Sequence, residues 1–121
     1  MQLAYTCLWV RDLTRMTGFY QSNFQASVSE RRCEVWGAVE SACLLFENGA
    51  SLKLLQANAD QTLPAQGSFA VGAGRAADVD RLTEQLAAKG CTILAEPRLS
   101  MDGYYESVVT DPEGNPVIIT I

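Results

Sequence analysis

The segment LAYTCLWVRDLTRMTGFYQSNF, residues 3–24, places a strand pattern directly before a helix pattern. From Leu3 to Val10, apolar and β-favouring residues alternate with a period of two, which predicts a strand with two distinct faces. Asp12 stands where a helix N-cap is expected, and apolar residues then recur at helical spacing as far as Phe24. The segment therefore predicts a strand followed by an amphipathic helix.

The order of elements repeats in the second half of the chain. After the first helix, alternating apolar residues predict strands at residues 26–30, 42–46 and 51–56. The later elements predicted in the same order are a strand at 68–71, a helix capped by Asp78 and ended by Lys89-Gly90, and strands at 92–95, 105–109 and 117–121. Each half thus has a strand, a helix and three more strands, and a repeat of this size implies two sheets that share one core.

Local sequence supports the repeat. The turn Phe46-Glu47-Asn48-Gly49 precedes SLKLLQ, as Asp111-Pro112-Glu113-Gly114 precedes NPVIIT. Small and polar residues with one proline, ANADQTLPAQG, have the composition of a linker between the halves. We therefore predict one domain, 1–121, with module one at 1–56, a linker at 57–67 and module two at 68–121.

Composition restricts the function. The 121 residues carry 9 Lys and Arg against 14 Asp and Glu, so the net charge of -5 argues against nucleic acid or an anionic membrane as partner. The chain has no histidine, which excludes a Ser-His-Asp triad and histidine-based zinc or iron sites. Its four cysteines form no CxxC pair, and the N-terminal residues do not resemble a signal peptide. We expect a cytoplasmic protein with reduced thiols.

Three segments resemble the vicinal oxygen chelate superfamily, which includes glyoxalase I, extradiol dioxygenases and the bleomycin-resistance proteins. They are YTCLWVRDLTRMTGFY, DVDRLTEQLAAKG and GYYESVVTDPEGNPVIIT, and the resemblance extends over essentially the whole chain. Its most specific signals are V-x-D-L followed by F-Y, and D-P-x-G-N before the last strand. The resemblance implies an α+β fold in which two βαβββ modules form a cup-shaped, incomplete barrel, and it implies a homodimer.

The resemblance also implies where a metal ion would be held. The positions that match the ligands of the superfamily's metal enzymes hold Tyr5, Lys53, Ser68 and Ile118. These four residues are not a credible ligand set for a divalent ion, because isoleucine has no donor atom and lysine brings an ammonium group. We therefore predict no metal, no cofactor and no catalytic residue of the superfamily's metal-dependent kind.

Strand alternation predicts which side chains line a ligand site. Tyr5, Cys7 and Trp9 face the same side of their strand, whereas Leu8 and Val10 pack beneath the helices. The predicted ligand-binding residues are Tyr5, Cys7, Trp9, Trp36, Lys53, Ser68, Tyr104, Tyr105, Glu106 and Ile118. Alternative interpretations stay open: the tryptophans as core residues, the cysteines as small buried hydrophobic residues, and residues 104–107 as ordinary sheet residues.

Three functions follow from these residues. The first is a metal-free small-molecule-binding protein that sequesters an aromatic or cationic compound, as bleomycin-resistance proteins do, a cationic guest being favoured by the net charge of -5. The alternative is a metal-independent lyase or isomerase in which Tyr5 and Lys53 move a proton or stabilise an oxyanion. The third is an interaction module whose cup binds no ligand.

Overall fold

The computed structural model describes residues 1–33 and 36–121, and of residues 30–33 it describes the backbone alone. The chain divides into two compact units, Met1–Gln66 and Gly67–Ile121. Each unit contains one βαβββ series, so the predicted element order is confirmed in both halves. No helix of the described residues is long and apolar enough to cross a membrane.

The first unit is a four-stranded mixed sheet with one helix. Its elements are β1 (Thr6–Val10), α1 (Leu13–Phe24), β2 (Ser27–Cys33), β3 (Glu40–Leu45) and β4 (Ser51–Gln56). The strand order is β1-β4-β3-β2, with β1 parallel to β4 and the remaining pairs antiparallel. A parallel pair needs a long crossover connection, and the chain between β1 and β4 supplies it.

Helix α1 begins and ends as the sequence predicts. Asp12 is its N-cap, and its carboxylate accepts a hydrogen bond from the amide of Arg15 at 3.0 Å. The helix ends where Gln25 takes a left-handed conformation with a φ of 55°. Its buried residues recur at helical spacing and pack on the sheet: Leu13, Met16, Tyr20 and Phe24.

The second unit repeats this architecture. Its elements are β5 (Phe69–Gly72), α2 (Ala76–Ala88), β6 (Ile93–Leu99), β7 (Tyr105–Thr110) and β8 (Pro116–Thr120). The strand order is β5-β8-β7-β6, again with one parallel pair, β5 with β8. The α+β class with two βαβββ modules is confirmed.

The predicted cap of α2 was wrong by one turn. The N-cap is Arg75, and Asp78 is the third residue of the helix, where its carboxylate accepts a hydrogen bond from the Arg75 amide at 3.0 Å. The guanidinium groups of Arg75 and Arg81 also bind this carboxylate and hold the pKa of Asp78 well below its usual range. A carboxylate at the third helical residue can still cap the helix, because it reaches back to the free amide of the N-cap residue.

The end of α2 agrees with the prediction. The amide of Gly90 donates to the carbonyl of Ala87 at 3.0 Å, and the amide of Cys91 donates to that of Leu86 at 3.1 Å. These two bonds form a Schellman motif, which requires the left-handed conformation that Gly90 adopts with a φ of 98°.

Three strand boundaries differ from prediction by three residues or more. β1 begins at Thr6 rather than Leu3, because β4 begins at Ser51 and offers no partner to the residues further upstream. β2 runs to residue 33 and β6 to residue 99, both longer than predicted. β6 contains Pro97, which suggests a strand end, but an edge strand with an irregular register tolerates proline.

Candidate functional site

The first sheet has one face beneath α1 and one opposite face, which we call the distal face. Leu8, Val10, Leu52 and Leu54 are all buried on the helix side, as the alternation predicts. Their strand neighbours Cys7, Trp9, Ser51, Lys53 and Leu55 therefore point to the distal face. The predicted ligand-binding residues of the first unit share this face or lie beside it.

A thiol–ammonium–thiol row crosses the distal face. Lys53 on β4 lies opposite Cys7 of β1 in the parallel register and opposite Cys43 of β3 in the antiparallel register. All three side chains are partly buried. Because register partners point to the same side of a sheet, the side chain of Lys53 leaves β4 between the side chains of Cys7 and Cys43.

The ammonium group of Lys53 is held by an aromatic ring. Its Nζ lies 4.1 Å from the centroid of the Tyr5 ring, a cation–π contact, and Tyr5 itself is 46% exposed. No carboxylate of the described residues forms an ion pair with Lys53. The row thus contains one positive charge that the described part of the chain does not neutralise.

The thiol of Cys7 responds to this environment. Burial raises the pKa of Cys7, the nearby Lys53 ammonium lowers it by a smaller amount, and Cys43 contributes in the direction of burial. The net effect keeps Cys7 in its thiol form near neutral pH.

Aromatic and aliphatic side chains cover one end of the distal face. Trp9 is only 8% exposed and packs with Ala38, Leu55, Ala57 and Leu63. Trp36 lies against it, with ring centroids 5.6 Å apart and planes inclined by 51°, and is 74% exposed. The core interpretation holds for Trp9, whereas Trp36 offers a free indole surface. Trp36 also has a φ of 50°, which is unusual for a bulky residue.

The predicted linker contributes to this cover. The side chain of Gln66 bonds both backbone groups of Trp9: its Oε1 accepts from the Trp9 amide at 2.6 Å, and its Nε2 donates to the Trp9 carbonyl at 3.0 Å. Residues 57–66 belong to the first compact unit. The segment therefore holds the edge of β1 as well as connecting the halves.

In the second unit the predicted residues are distributed over both faces of the sheet. Ile118 and Glu106 lie on the face opposite α2, where Arg98 holds Glu106 through its carbonyl at 2.9 Å and its carboxylate at 3.9 Å. Tyr105 lies on the helix side, and its hydroxyl donates to Asp80 of α2 at 2.5 Å, which raises the pKa of Tyr105. Tyr104 is exposed before β7.

Ser68, the remaining predicted residue, is exposed immediately before β5. The ligand-binding roles of all these residues stay predictions. The structure brings Tyr5, Cys7 and Lys53 together, with Trp9 and Trp36 at the end of the same face, but it separates Tyr105 from Glu106.

Sequence reasoning missed two residues, Cys43 and Gln66. Cys43 was detectable, because counting outward from the loop 47–49 pairs residue 43 with Lys53. Gln66 had no signal, because a glutamine in a polar segment does not indicate which backbone groups it bonds.

The residues do not fit a divalent metal ion. The two implied ligand positions in the first unit hold the Lys53 ammonium and the Tyr5 ring on which it rests. The two in the second unit hold the hydroxyl of Ser68 and the hydrocarbon side chain of Ile118. Within the described residues no group of three or more His, Cys, Asp or Glu is close enough to bind a metal. The electrostatics at Lys53 therefore oppose a bound cation.

Two four-stranded mixed sheets, each made by a βαβββ series and covered by one helix, define the class of protein. A sequence profile of the Glyoxalase/Bleomycin resistance protein/Dioxygenase superfamily matches residues 2–119. The chain belongs to this superfamily.

Solved structures agree on the fold. A glyoxylase/bleomycin resistance protein/dioxygenase domain from Frankia sp. EAN1pec has a TM-score of 0.82 at 16% identity, covering 100% of this chain and 97% of that one. A lactoylglutathione lyase from Agrobacterium tumefaciens has a TM-score of 0.70 at 22% identity, covering 98% and 92%. A fosfomycin resistance protein from Listeria monocytogenes, bound to Mn(II), has a TM-score of 0.71 at 18% identity, covering 98% and 88%. A comparison with curated protein sequences finds no significant match.

Proposed function

We propose that this protein is a metal-independent small-molecule-binding protein that sequesters an aromatic compound bearing an acidic group. The observation that carries the proposal is Lys53: the residue is partly buried on the distal face, its ammonium group rests on the Tyr5 ring, and it has no carboxylate partner among the described residues. A ligand carboxylate would complete this site, since a partly buried charge is stabilised by an opposite charge that accepts its hydrogen bonds.

The exposed indole of Trp36 supplies the aromatic part of the site. It is 74% exposed and is supported from one side by Trp9, which is buried and fixed by Gln66. A rigid aromatic surface beside a single charged group is typical of sites that orient a small planar ligand.

A cationic ligand is the competing possibility. The net charge of -5 attracts cations over long distances, an effect that salt weakens. At the site itself, however, the charged side chain that the structure describes on the distal face of the first unit is that of Lys53, which is positive. Short-range electrostatics therefore favour an anionic ligand there.

The lyase or isomerase alternative receives less support. A Tyr–Lys proton transfer needs the ammonium near the phenolic oxygen, at about 2.6–3.2 Å. Lys53 instead lies over the face of the Tyr5 ring, 4.1 Å from its centroid. This contact stabilises a positive charge and does not form a proton relay.

The test is a fluorescence titration with three naphthalene derivatives that differ only in their substituent: carboxylate, hydroxymethyl and ammonium. We expect saturable quenching of tryptophan fluorescence, with the carboxylate bound most tightly. Lys53→Met should weaken the carboxylate by about tenfold to a hundredfold and leave the hydroxymethyl compound nearly unchanged. Lys89→Met in the second unit is the charge-matched control.

Trp36→Ala should weaken all three compounds, because it removes the stacking surface and not the charge. Tightest binding of the ammonium compound, or equal loss in the Lys53 and Lys89 variants, would contradict the role of Lys53. Absence of a saturable response from all three would contradict the binding function. The expected homodimer is checked separately by sedimentation velocity.

A further inference from the structure

The row of Cys7, Lys53 and Cys43 carries a chemical possibility beyond ligand binding. Cys7 and Cys43 lie on strands that both pair with β4, so two strand spacings separate them. Their Cα atoms are therefore about 9.5 Å apart, whereas a disulfide requires less than about 7 Å. If either thiol is oxidised, the adjacent reactive side chain in the row is therefore Lys53 and not the other thiol.

Of the two thiols, Cys7 is the better placed to react with Lys53. It lies directly opposite Lys53 in the parallel register. The ammonium rests on Tyr5, which stands two residues before Cys7 on the same stretch of chain, so Nζ leans toward β1 and away from β3. The long lysine side chain spans the single strand spacing of about 4.8 Å between them.

We propose that Cys7 and Lys53 are an oxidant-sensitive pair that forms a covalent sulfur–nitrogen cross-link between β1 and β4. In the first step a hydroperoxide transfers one oxygen atom to the Cys7 sulfur, which gives a sulfenic acid and, from hydrogen peroxide, one water. In the second step the Lys53 amine, having lost its ammonium proton to solvent, attacks that sulfur and displaces a second water. The sulfur is oxidised by two electrons, the peroxide is reduced, and the product is a sulfenamide.

The reaction is slow in this environment and is reversed by thiols. Burial raises the pKa of Cys7, so little thiolate is present at neutral pH, and the positive charge of Lys53 only partly offsets this. A thiol reductant attacks the sulfur of the sulfenamide, releases the amine and, with a second thiol, restores Cys7. The cross-link therefore responds to sustained exposure to peroxide.

A consequence for ligand binding rests on the proposed function. If Lys53 anchors an acidic ligand, the cross-link removes its positive charge and withdraws the anchor. The cross-link itself needs only the two side chains, so its failure and the failure of the proposed function are distinguishable.

The experiment treats the folded, reduced chain with hydrogen peroxide, quenches the oxidant, alkylates free thiols and digests with trypsin with or without a reductant. We expect an intact mass lower by two hydrogen atoms, loss of cleavage after Lys53, and a peptide in which Cys7 is joined to Lys53. Dithiothreitol should restore the cleavage. Unmodified Lys53 with Cys7 present as thiol, sulfinic acid or sulfonic acid would overturn the proposal.

Variants identify the partner atoms. Lys53→Arg keeps the positive charge and the tryptic site but lacks the primary amine, so cleavage should persist and a dimedone-type reagent should trap the Cys7 sulfenic acid. Cys43→Ser and Cys91→Ser should cross-link as the unaltered chain does, whereas Cys7→Ser should not. A cross-link that requires Cys43 and survives in Cys7→Ser would overturn the assignment to Cys7.

Discussion

The two units share their turns and their strand order but differ in what they place on equivalent positions. The loop before β4 and the loop before β8 are closed in the same way. The amide of Phe46 donates to the carbonyl of Ala50, and the amide of Asp111 donates to the carbonyl of Asn115; each bond spans a glycine with positive φ. The sheet face opposite the helix carries Lys53 in the first unit and Ile118 at the matching place in the second. The frame is thus repeated, whereas the candidate chemistry lies in the first unit.

The helix-facing cores differ as well. Position by position, Tyr20 of α1 corresponds to Thr83 of α2, and Ala42 of β3 corresponds to Ser107 of β7. In the second unit these residues form a buried hydrogen bond of 2.7 Å between hydroxyl oxygens. A tyrosine and an alanine at these positions in one unit are therefore replaced by two small hydroxyl residues in the other, so the same fold is built with either set of residues.

The largest effect is expected from the shared apolar centre. Leu54 of β4 and Ile119 of β8 occupy equivalent positions and are both 0% exposed. Truncation to alanine should lower the free energy of unfolding by about 2–5 kcal/mol in each case. Chemical denaturation measures the loss, and Leu94→Ala, at a residue that is 55% exposed, is the control with an expected change within about 0.5 kcal/mol. A much smaller loss for Ile119→Ala than for Leu54→Ala would break the equivalence of the two cores.

An intermediate effect is expected from the buried hydroxyl pair. Thr83 donates to the carbonyl of Val79 at 2.6 Å, so Ser107 is the donor in the bond between the two hydroxyls. Thr83→Val leaves the Ser107 hydroxyl buried without its acceptor and should cost about 1–3 kcal/mol, whereas Ser107→Ala removes one hydrogen bond and should cost about 0.5–1.5 kcal/mol.

The double variant sharpens this comparison. Because Thr83→Val and Ser107→Ala together leave no orphaned hydroxyl from the pair, their combined cost should be clearly less than the sum of the single costs. Denaturation midpoints of the four proteins complete the thermodynamic cycle. Strict additivity would show that the two hydroxyls do not depend on each other, and would remove the stated difference between the cores.

The sequence predicts most of the fold because the residues that begin and end the repeated elements bond to residues close to them in the chain. Asp12, the Lys89-Gly90 helix end and the two turns before the last strands act through bonds to residues at most five positions away, and each was identified. Asp78 was misplaced because an aspartate serves both as N-cap and three residues inside a helix, and no neighbouring residue distinguishes the two positions.

The candidate site is less accessible to sequence reasoning because it depends on strand register. Alternation correctly placed Lys53 on the face opposite the helix, but the pairing with Cys43 follows only when the loop length before β4 is known. The separation of Tyr105 from Glu106 is a simple consequence of a period of two. The period of two does not say, however, which of these two residues faces α2 and which one lies on the predicted ligand-binding face.

The last comparison tests the repeated turns, where the difference expected between the two units is the smallest. Gly49 and Gly114 have φ values of 89° and 84°, and a Cβ atom at either position would have no neighbouring atom within 4 Å. Alanine there meets no steric obstacle from the rest of the protein, so only the left-handed backbone opposes it, at about 1–2 kcal/mol. We expect the two variants to lose the same stability in thermal and chemical unfolding.

A third glycine provides a control of opposite sign. Gly18 lies inside α1 with open space around it, and its backbone is not left-handed. Gly18→Ala should therefore raise the free energy of unfolding by about 0.5–1 kcal/mol, because alanine loses less conformational freedom in a helix. The changes in the free energy of unfolding for Gly49→Ala and Gly114→Ala are then compared with each other and with that for Gly18→Ala. If the two turn variants differ from each other by more than either differs from Gly18→Ala, the two turns share their geometry but not their contribution to stability.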